Sequence, residues 1–261
     1  MTQIHPSAVI EDGAKIGRDC VIGPFCVVGA RVVLGDRVEL KSHVVVTGRT
    51  EIGDDTVIFN FSVIGEIPQD LKFGGEESRL MIGKRNRIRE HVTMNTGTEG
   101  GGGVTRIGDD GLFMAGVHVA HDVQIGDRVI LVNNAGVAGH CIVEDDVIVG
   151  GLSGLHQWVR VGRGAIIGAL TMVPKDVIPY GLVQASRGQL HGLNLVGLKR
   201  RGVSRADISE LRAAFQTLAG SDGTFQERAR QLGETAESEL VQQIVDFVTG
   251  ESDRSFLTPV T

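Results

Sequence analysis

An apolar residue recurs at every sixth position from residue 107 to residue 173, without a single slip. These positions are Ile107, Phe113, Val119, Ile125, Leu131, Val137, Val143, Val149, Leu155, Val161, Ile167 and Val173. A period of six fits neither an amphipathic helix nor a simple alternating strand. A fixed repeat carried this far is typical of a solenoid, in which each unit buries its apolar residue only against its neighbours.

The residues around each repeated position indicate a short strand followed by a tight turn. Two positions earlier lies a small or β-branched residue, and glycine or a polar residue usually follows, as in the sequence 125–127. This pattern predicts a parallel β-helix of hexapeptide repeats. All three cysteines occupy the small inward position, so we expect buried packing thiols rather than disulfides or metal ligands: Cys20, Cys26 and Cys141.

The same period occupies the N-terminal part of the chain, from Ile10 to Ile64, and three hexads would close one triangular coil of eighteen residues. The repeat breaks at residues 66–77 and resumes at Ile82, eighteen residues after Ile64. We therefore interpret this interruption as an outward loop that takes the place of one eighteen-residue coil. A second, glycine-rich interruption covers residues 96–103. Because insertions in solenoids commonly build the binding site, both loops are candidate functional elements.

After Val173 the pattern ends, and we predict a β-helical domain over residues 1–190 and an α-helical domain over 191–261. Ser204 followed by Asp207 resembles the start of a capped helix. Two further helices are predicted near residues 224–232 and 239–248. This helical part would cover the last coil, which would otherwise expose strand edges.

Composition excludes several classes of function. The net charge of −6 argues against a nucleic-acid partner. The sequence has no run of eighteen apolar residues and no charged-then-apolar N-terminal signal, so we expect a cytoplasmic protein without an integral membrane segment.

Four of the eight histidines lie in the uninterrupted repeat, namely His118, His121, His140 and His156. Residues eighteen apart stack on one another, which places Gly139 on His121 and His140 on Asp122. A thin prism offers no pocket on its smooth outer wall, so we expect this cluster at an interface between copies, with three-fold symmetry.

Two chemical interpretations remain open for this cluster. In the first, a neutral histidine is a general base, and the backbone N–H of Gly139 stabilises an acyl oxyanion. In the second, three histidines bind zinc, as in carbonic anhydrases built on this type of β-helix, with His118, His121 and His140 as the ligands.

Several motifs resemble the UDP-N-acetylglucosamine acyltransferase family over essentially the whole chain. They are AlaHisAspVal at 120–123, GlyHis at 139–140, HisGln at 156–157, GlyGluIleProGlnAspLeuLysPhe at 65–73 and AsnLeuValGlyLeuLysArgArgGly at 194–202. The resemblance implies a homotrimer of left-handed β-helices with active sites between subunits. It also implies transfer of an (R)-3-hydroxyacyl chain from acyl carrier protein to the 3-hydroxyl of UDP-N-acetylglucosamine, without a cofactor or metal. This is the first step of lipid A biosynthesis.

The resemblance assigns a role to each matching residue. His121 would be the general base, with Asp122 beside it and Gly139 as the oxyanion donor. Because neighbouring residues on a strand face opposite ways, Asp122 would help only if a corner turns it round. The predicted substrate contacts are Gln69, Asp70, Lys72, His118, His140, His156, Gln157 and, for the nucleotide, Asn194, Arg200 and Arg201.

Departures from the family pattern bear on the acyl chain and the sugar. Val196 replaces a glutamate of the best-known member, so one sugar contact is in doubt. Ala169 and Met172 replace glycines of members that accept long chains, so we predict a preference for fewer than fourteen carbons. Candidate basic patches for the acidic carrier protein are Lys84, Arg85, Arg87 and Arg89, or Lys199–Arg201 with Arg205 and Arg212.

The nearest enzyme alternative is the related N-acyltransferase two steps later in the same pathway. It carries an N-terminal uridine-binding domain. Since the hexads begin at Ile10, we expect no such domain here.

Overall fold

The computed structural model describes residues 1–184 and 188–259, and its backbone coils into a three-sided, left-handed prism of short strands. Within these residues the strands form three sheets of eleven, nine and eight strands, here called faces A, B and C. The chain visits the faces in the order A, B, C, so each circuit adds one strand to every face. This architecture confirms the predicted β-helix.

Each face is given by its strands in spatial order. Face A consists of Gln3–Ile4, Val21–Ile22, Glu39–Leu40, Val57–Ile58, Arg87–Ile88, Leu112–Phe113, Ile130–Leu131, Ile148–Val149, Ile166–Ile167, Gly181–Gln184 and Gln189–Leu193. Face B consists of Val9–Ile10, Val27–Val28, Val45–Val46, Val63–Glu66, Thr93–Asn95, His118–Val119, Gly136–Val137, Gly154–Leu155 and Met172–Val173. Face C consists of Lys15–Ile16, Val33–Leu34, Arg49–Ile52, Arg79–Ile82, Val104–Ile107, Gln124–Ile125, Ile142–Val143 and Arg160–Val161.

The hexad residues form continuous columns inside the prism. On face B, Val119 pairs with Val137 and Val137 with Leu155, one coil apart and in parallel register. These side chains are buried, and full burial of each aliphatic side chain contributes about 1.5–3 kcal/mol. The cysteines are buried and free, and burial raises the pKa of Cys141 to about 12. They are packing thiols, as predicted.

The loop at 66–77 does not replace a coil, and this part of the sequence prediction is wrong. Strand Val63–Glu66 lies on face B and the next strand, Arg79–Ile82, lies on the adjacent face C. That step normally takes six residues, whereas Ile64 and Ile82 are eighteen apart. The loop therefore adds two hexads of sequence to a single corner. The glycine-rich loop 96–103 extends the same B/C corner one coil later, since it joins Thr93–Asn95 to Val104–Ile107.

The C-terminal part packs on the last coil. Its helices are α1 (Leu195–Arg200), α2 (Arg205–Ala219), α3 (Phe225–Gly233) and α4 (Glu239–Thr249). The predicted cap is confirmed, because the Ser204 hydroxyl accepts from the N–H of Asp207. Strand Gln189–Leu193 spans the predicted boundary at residue 190, and the division into two domains stays a prediction. Across residues 1–184 and 188–259, no helix has the length and apolar character needed to cross a lipid bilayer.

Candidate functional site

The B/C edge of the prism carries an imidazole–carboxylate pair. His121 and Asp122 follow the face B strand His118–Val119, and Asp122 adopts a left-handed φ of 59°. This corner conformation turns the carboxylate back, so that Oδ2 of Asp122 lies 2.9 Å from Nδ1 of His121. Both side chains are buried. Because an ionised carboxylate only accepts hydrogen bonds, Nδ1 carries the proton and Nε2 is left free to act as a base.

Gly139 lies directly against this imidazole, one coil further along the prism. A Cβ added to Gly139 would lie 2.5 Å from Cε1 of His121, so a larger residue would displace the ring. The N–H of His140 donates to the carbonyl of His121. In the described part of the chain, the neighbouring N–H of Gly139 has no acceptor. The stacking inferred from the eighteen-residue spacing is therefore confirmed, and it leaves an N–H group beside the base.

The outward loop 66–77 encloses this corner. Oδ2 of Asp70 lies 4.0 Å from Nε2 of His121, while Lys72 and Gln69 are exposed on the same loop. Together with the glycine loop it forms a cavity of about 470 Å³ whose walls include Asp70, Lys72, Glu76, Thr98, His140 and Trp158. The two insertions supply most of the walls of this cavity, and the expectation that both loops are functional elements stays a prediction.

His140 stands between the His121–Asp122 pair and a tryptophan. Its ring meets that of His121 edge-on, with centroids 4.9 Å apart, and stacks face to face on Trp158 at 3.9 Å. Its Nδ1 lies 3.7 Å from Oδ2 of Asp122. Burial lowers the pKa of His140, and this effect outweighs the opposing charge of Asp122. His140 is therefore neutral near pH 7.

The other two histidines of the predicted cluster have different surroundings. His118 is half-buried on face B, where Nδ1 lies 2.8 Å from Oγ1 of Thr93. Burial lowers the pKa of His118, and His121 adds a smaller effect in the same direction. His156 is exposed beside Gln157, and its Nδ1 accepts from Nη2 of Arg254 at 3.1 Å.

Three predicted nucleotide contacts lie at a different edge of the same chain. Asn194 is buried at the start of α1, where its amide donates to the carbonyl of Gly164 and accepts from the N–H of Gly197. Arg200 and Arg201 are exposed at the end of α1, and the Arg201 guanidinium lies 6.0 Å from the ring centre of Tyr180. Gly164 belongs to the corner between faces C and A, whereas His121 belongs to the B/C corner.

The remaining predicted residues lie elsewhere on the surface. Ala169 is exposed in the A/B corner, and Met172 is exposed at the start of the face B strand that follows. The first candidate basic patch is largely neutralised by acidic neighbours. Lys84 pairs with Asp54, Arg85 with Asp109 and Asp110, and Arg89 with Glu90.

A possible metal-binding group at this edge differs from the predicted histidine trio. Among the described residues, ligand atoms of His121, Asp122 and His140 lie within 4.8 Å of one another, so Asp122 takes the place predicted for His118. Both carboxylate oxygens of Asp122 are already engaged by Thr98, and Oδ2 also faces His121. The set fits a hydrogen-bonded imidazole–carboxylate pair better than a coordination shell.

Two residues that lie at this site, Thr98 and Trp158, were not predicted from the sequence. Thr98 lies in the glycine loop 96–103, where the six-residue repeat is interrupted and therefore does not predict which way a side chain points. Trp158 could have been found, because it follows His140 by eighteen residues and therefore stacks on it.

Two family sequence profiles match the chain. A profile described as "Udp N-acetylglucosamine O-acyltransferase; Domain 2" matches residues 176–257, and one described as "Bacterial transferase hexapeptide (six repeats)" matches residues 1–30 and 13–48.

Curated relatives and solved structures are similar over three quarters or more of the chain. The acyl-[acyl-carrier-protein]–UDP-N-acetylglucosamine O-acyltransferase of Paracoccus denitrificans is 68% identical over 203 residues, which is 78% of this chain and 77% of that protein. Its counterpart from Rhizobium johnstonii is 50% identical over 98% of this chain and 95% of that protein. The structure of UDP-N-acetylglucosamine acyltransferase from Campylobacter jejuni superposes with a TM-score of 0.94 at 39% identity, covering 99% of this chain and 100% of that one.

Proposed function

Because the chain belongs to the UDP-N-acetylglucosamine O-acyltransferase family, we propose that it transfers an (R)-3-hydroxyacyl chain from acyl carrier protein to the 3-hydroxyl of UDP-N-acetylglucosamine. This transfer is the first step of lipid A biosynthesis. The relatives' names supply the donor and acceptor, and the observation that carries the chemistry is the His121–Asp122 pair beneath the loop cavity.

His121 is the general base of this reaction. Its Nε2 takes the proton from the sugar hydroxyl as the hydroxyl oxygen attacks the thioester carbonyl carbon. The C–S bond then breaks, and the imidazolium returns the proton to the departing thiolate sulfur. Asp122 keeps the proton of the resting imidazole on Nδ1 and stabilises the imidazolium that forms. Asp70, 4.0 Å from Nε2, helps to orient the attacking hydroxyl.

Gly139 supplies the oxyanion donor. Negative charge develops on the carbonyl oxygen when the tetrahedral intermediate forms, and a fixed N–H group stabilises it. The absence of a side chain lets the thioester approach this N–H beside the imidazole. Three further histidines can form hydrogen bonds with the acceptor sugar. Burial lowers the pKa of His118 and of His140, which favours their neutral form, and His156 is exposed.

The active site lies between subunits of a homotrimer. Within one chain, His121 lies at the B/C edge and the Arg200–Arg201 pair lies near the C/A edge. Placing the C/A edge of one copy against the B/C edge of the next would unite base and nucleotide contacts, and three copies close such a ring. A guanidinium against the pyrophosphate would donate in bidentate fashion.

The acidic carrier protein docks on the basic segment formed by Lys199–Arg201, Arg205 and Arg212. The alternative patch around Lys84 presents little free positive charge, since most of its cations pair with carboxylates. A carrier-protein donor agrees with a cytoplasmic location, which stays a prediction from the sequence.

The direct test is acyl transfer from a panel of 3-hydroxyacyl carrier proteins to UDP-N-acetylglucosamine, with the 3-amino analogue as a second acceptor. We expect an O-acylated sugar nucleotide and one molecule of free carrier protein per transfer. Failure with every donor, or stoichiometric zinc in the purified protein, would contradict the proposal and favour the metal-dependent alternative.

A mixing experiment tests the shared site. His121→Ala and Arg200→Ala chains, each inactive alone, are co-assembled in equal amounts. If base and arginine come from neighbouring copies, about one quarter of the sites regain both groups and activity returns. No recovery on mixing would place both groups in one chain.

A further inference from the structure

The glycine loop 96–103 closes over the Asp122 carboxylate. The backbone N–H of Thr98 donates to Oδ1 of Asp122 at 2.8 Å, and the Thr98 hydroxyl donates to Oδ2 at 2.6 Å. The Asp122 side chain is only 1% exposed, so these bonds replace the water that would otherwise solvate it. One residue of the loop therefore grips both oxygens of the carboxylate.

Two glycines of this loop provide space rather than backbone freedom. A Cβ on Gly101 would overlap the carboxylate carbon of Asp122. A Cβ on Gly97 would meet the loop's own backbone first, with Val104 N at 2.3 Å and Gly103 C at 2.4 Å, and then Oδ1 of Asp122 at 2.7 Å. Neither glycine has a left-handed φ, whereas Gly102 and Gly103 do, with φ of 90° and 75°. Gly101 is thus required by the close approach of the loop to Asp122, and Gly97 mainly by the packing of the loop on its own backbone; a merely flexible connection would need neither.

Oδ2 of Asp122 has two histidines within reach. Nδ1 of His121 lies at 2.9 Å and Nδ1 of His140 at 3.7 Å. A carboxylate free to rotate about its terminal bond could serve either ring. With Oδ1 fixed by the Thr98 N–H and Oδ2 by its hydroxyl, the carboxylate keeps its nearer contact to His121.

We infer that Thr98 is a positioning residue, which clamps Asp122 so that the carboxylate holds His121 rather than His140. This inference rests on the proposed function, since its consequence for turnover passes through His121 as the base. The N–H and the hydroxyl of Thr98 both bond to Asp122, so the effect of Thr98 is on the orientation and tautomer of the imidazole that Asp122 holds.

The first test compares Thr98→Val with Thr98→Ser. Valine keeps the shape and the backbone N–H but removes the hydroxyl donor, so kcat should fall about 10- to 100-fold, because small misplacements of a catalytic group have effects of this size. The KM for UDP-N-acetylglucosamine should stay unchanged, and serine should restore most of kcat. Wild-type kcat in the valine variant, or an equal loss in both variants, would overturn the inference.

The second test uses one glycine of this loop and one far from it. Gly101→Ala should lower kcat because its methyl group collides with Asp122, whereas Gly192→Ala adds the same methyl where nothing lies within 4 Å. Circular dichroism and thermal unfolding check that both variants fold. Equal kcat in the two variants would contradict the close packing of this loop on Asp122.

Imidazole nitrogen NMR separates this inference from the proposed function, because it needs no turnover. In the wild type, His121, assigned with a His121→Gln variant, should be the Nδ1–H tautomer, and Thr98→Val should populate the Nε2–H form. If this change appears while the wild type transfers no acyl chain, the positioning holds and the proposed function fails. If the wild type is active and Thr98→Val alters neither tautomer nor kcat, the positioning role fails.

Discussion

Nδ1 of His121 and Oδ2 of Asp122 lie 2.9 Å apart although the two residues are consecutive in the chain. Consecutive side chains on a strand point to opposite faces, so an extended backbone would separate them. The left-handed φ of Asp122 turns its side chain back at the corner, and the hydrogen bond from the Thr98 hydroxyl holds the carboxylate there. The pair therefore depends on a prism corner and a loop together.

Replacing Gly139 by alanine should disable the base without unfolding the prism. The new Cβ would lie 2.5 Å from Cε1 of His121 and push the ring from Asp122, so kcat should fall about 100-fold. Steady-state kinetics of acyl transfer measure the effect. Gly192→Ala, where nothing lies within 4 Å of the added methyl, is the control and should keep wild-type kcat. Full activity in the Gly139 variant would contradict the contact.

Removing bulk at the A/B corner should lengthen the preferred acyl chain. Met172 is 46% exposed on face B and Ala169 lies at the adjoining corner, so both side chains are free to limit a chain bound along this surface. The wild type should prefer fewer than fourteen carbons, and Ala169→Gly with Met172→Gly should move the optimum upward. Rates with 3-hydroxyacyl carrier proteins of graded length decide this. An optimum of fourteen carbons in the wild type would refute it.

The ion pair of Arg160 with Asp176 should contribute far more to stability than the ion pairs along the C/A edge. Asp176 is fully buried, accepts from Nε and the backbone N–H of Arg160, and is joined by Ser252 from the C-terminal segment. Asp176→Ala leaves a largely buried guanidinium unpaired, so the free energy of unfolding should fall by about 3–5 kcal/mol.

Urea denaturation at equal protein concentration measures this loss. The control is Asp55→Ala, which removes the exposed partner of Arg37 and should change stability little. Similar losses in the two variants would contradict the special role of the buried pair.

The single tryptophan should report the protonation of His140. The groups that face this imidazole are Asp122 and His121 at the corner and Asp70 and Lys72 in the loop. Burial lowers the pKa of His140, with smaller contributions in the same direction from His121 and Lys72, and outweighs the opposing charges of Asp122 and Asp70. His140 therefore stays neutral at pH 7 and gains a proton only below its ordinary pKa of about 6.5.

An imidazolium quenches a stacked indole, so Trp158 emission should fall as the pH is lowered, with a midpoint below about pH 6.5. A fluorescence titration checks this, and His140→Gln should abolish the step. A midpoint above about pH 6.5 in the wild type would show that the shift has the opposite sign.

The six-residue period predicted the three faces, because every apolar residue that recurs at this spacing has to point into the prism. It also predicted that Gly139 stacks on His121, since stacking repeats every eighteen residues. Where the register is lost, prediction failed. The loop 66–77 has a length that equals one coil, and only the strand pairing shows that it extends a single corner.

The contacts of Thr98 with Asp122 could not be predicted either, since they join an irregular loop to a corner twenty-four residues away. The ion pairs of the basic residues could not be predicted from the sequence either. Lys84 and Arg85 appear as part of a basic run in the sequence, but their carboxylate partners lie on neighbouring coils.

The most direct test of the proposed chemistry is the rate of acyl transfer by His121→Ala, with 3-hydroxyacyl carrier protein and UDP-N-acetylglucosamine both saturating. If His121 is the base, kcat should fall at least about 100-fold, while the fold and nucleotide binding persist. A variant that transfers the acyl chain at the wild-type rate would contradict the account.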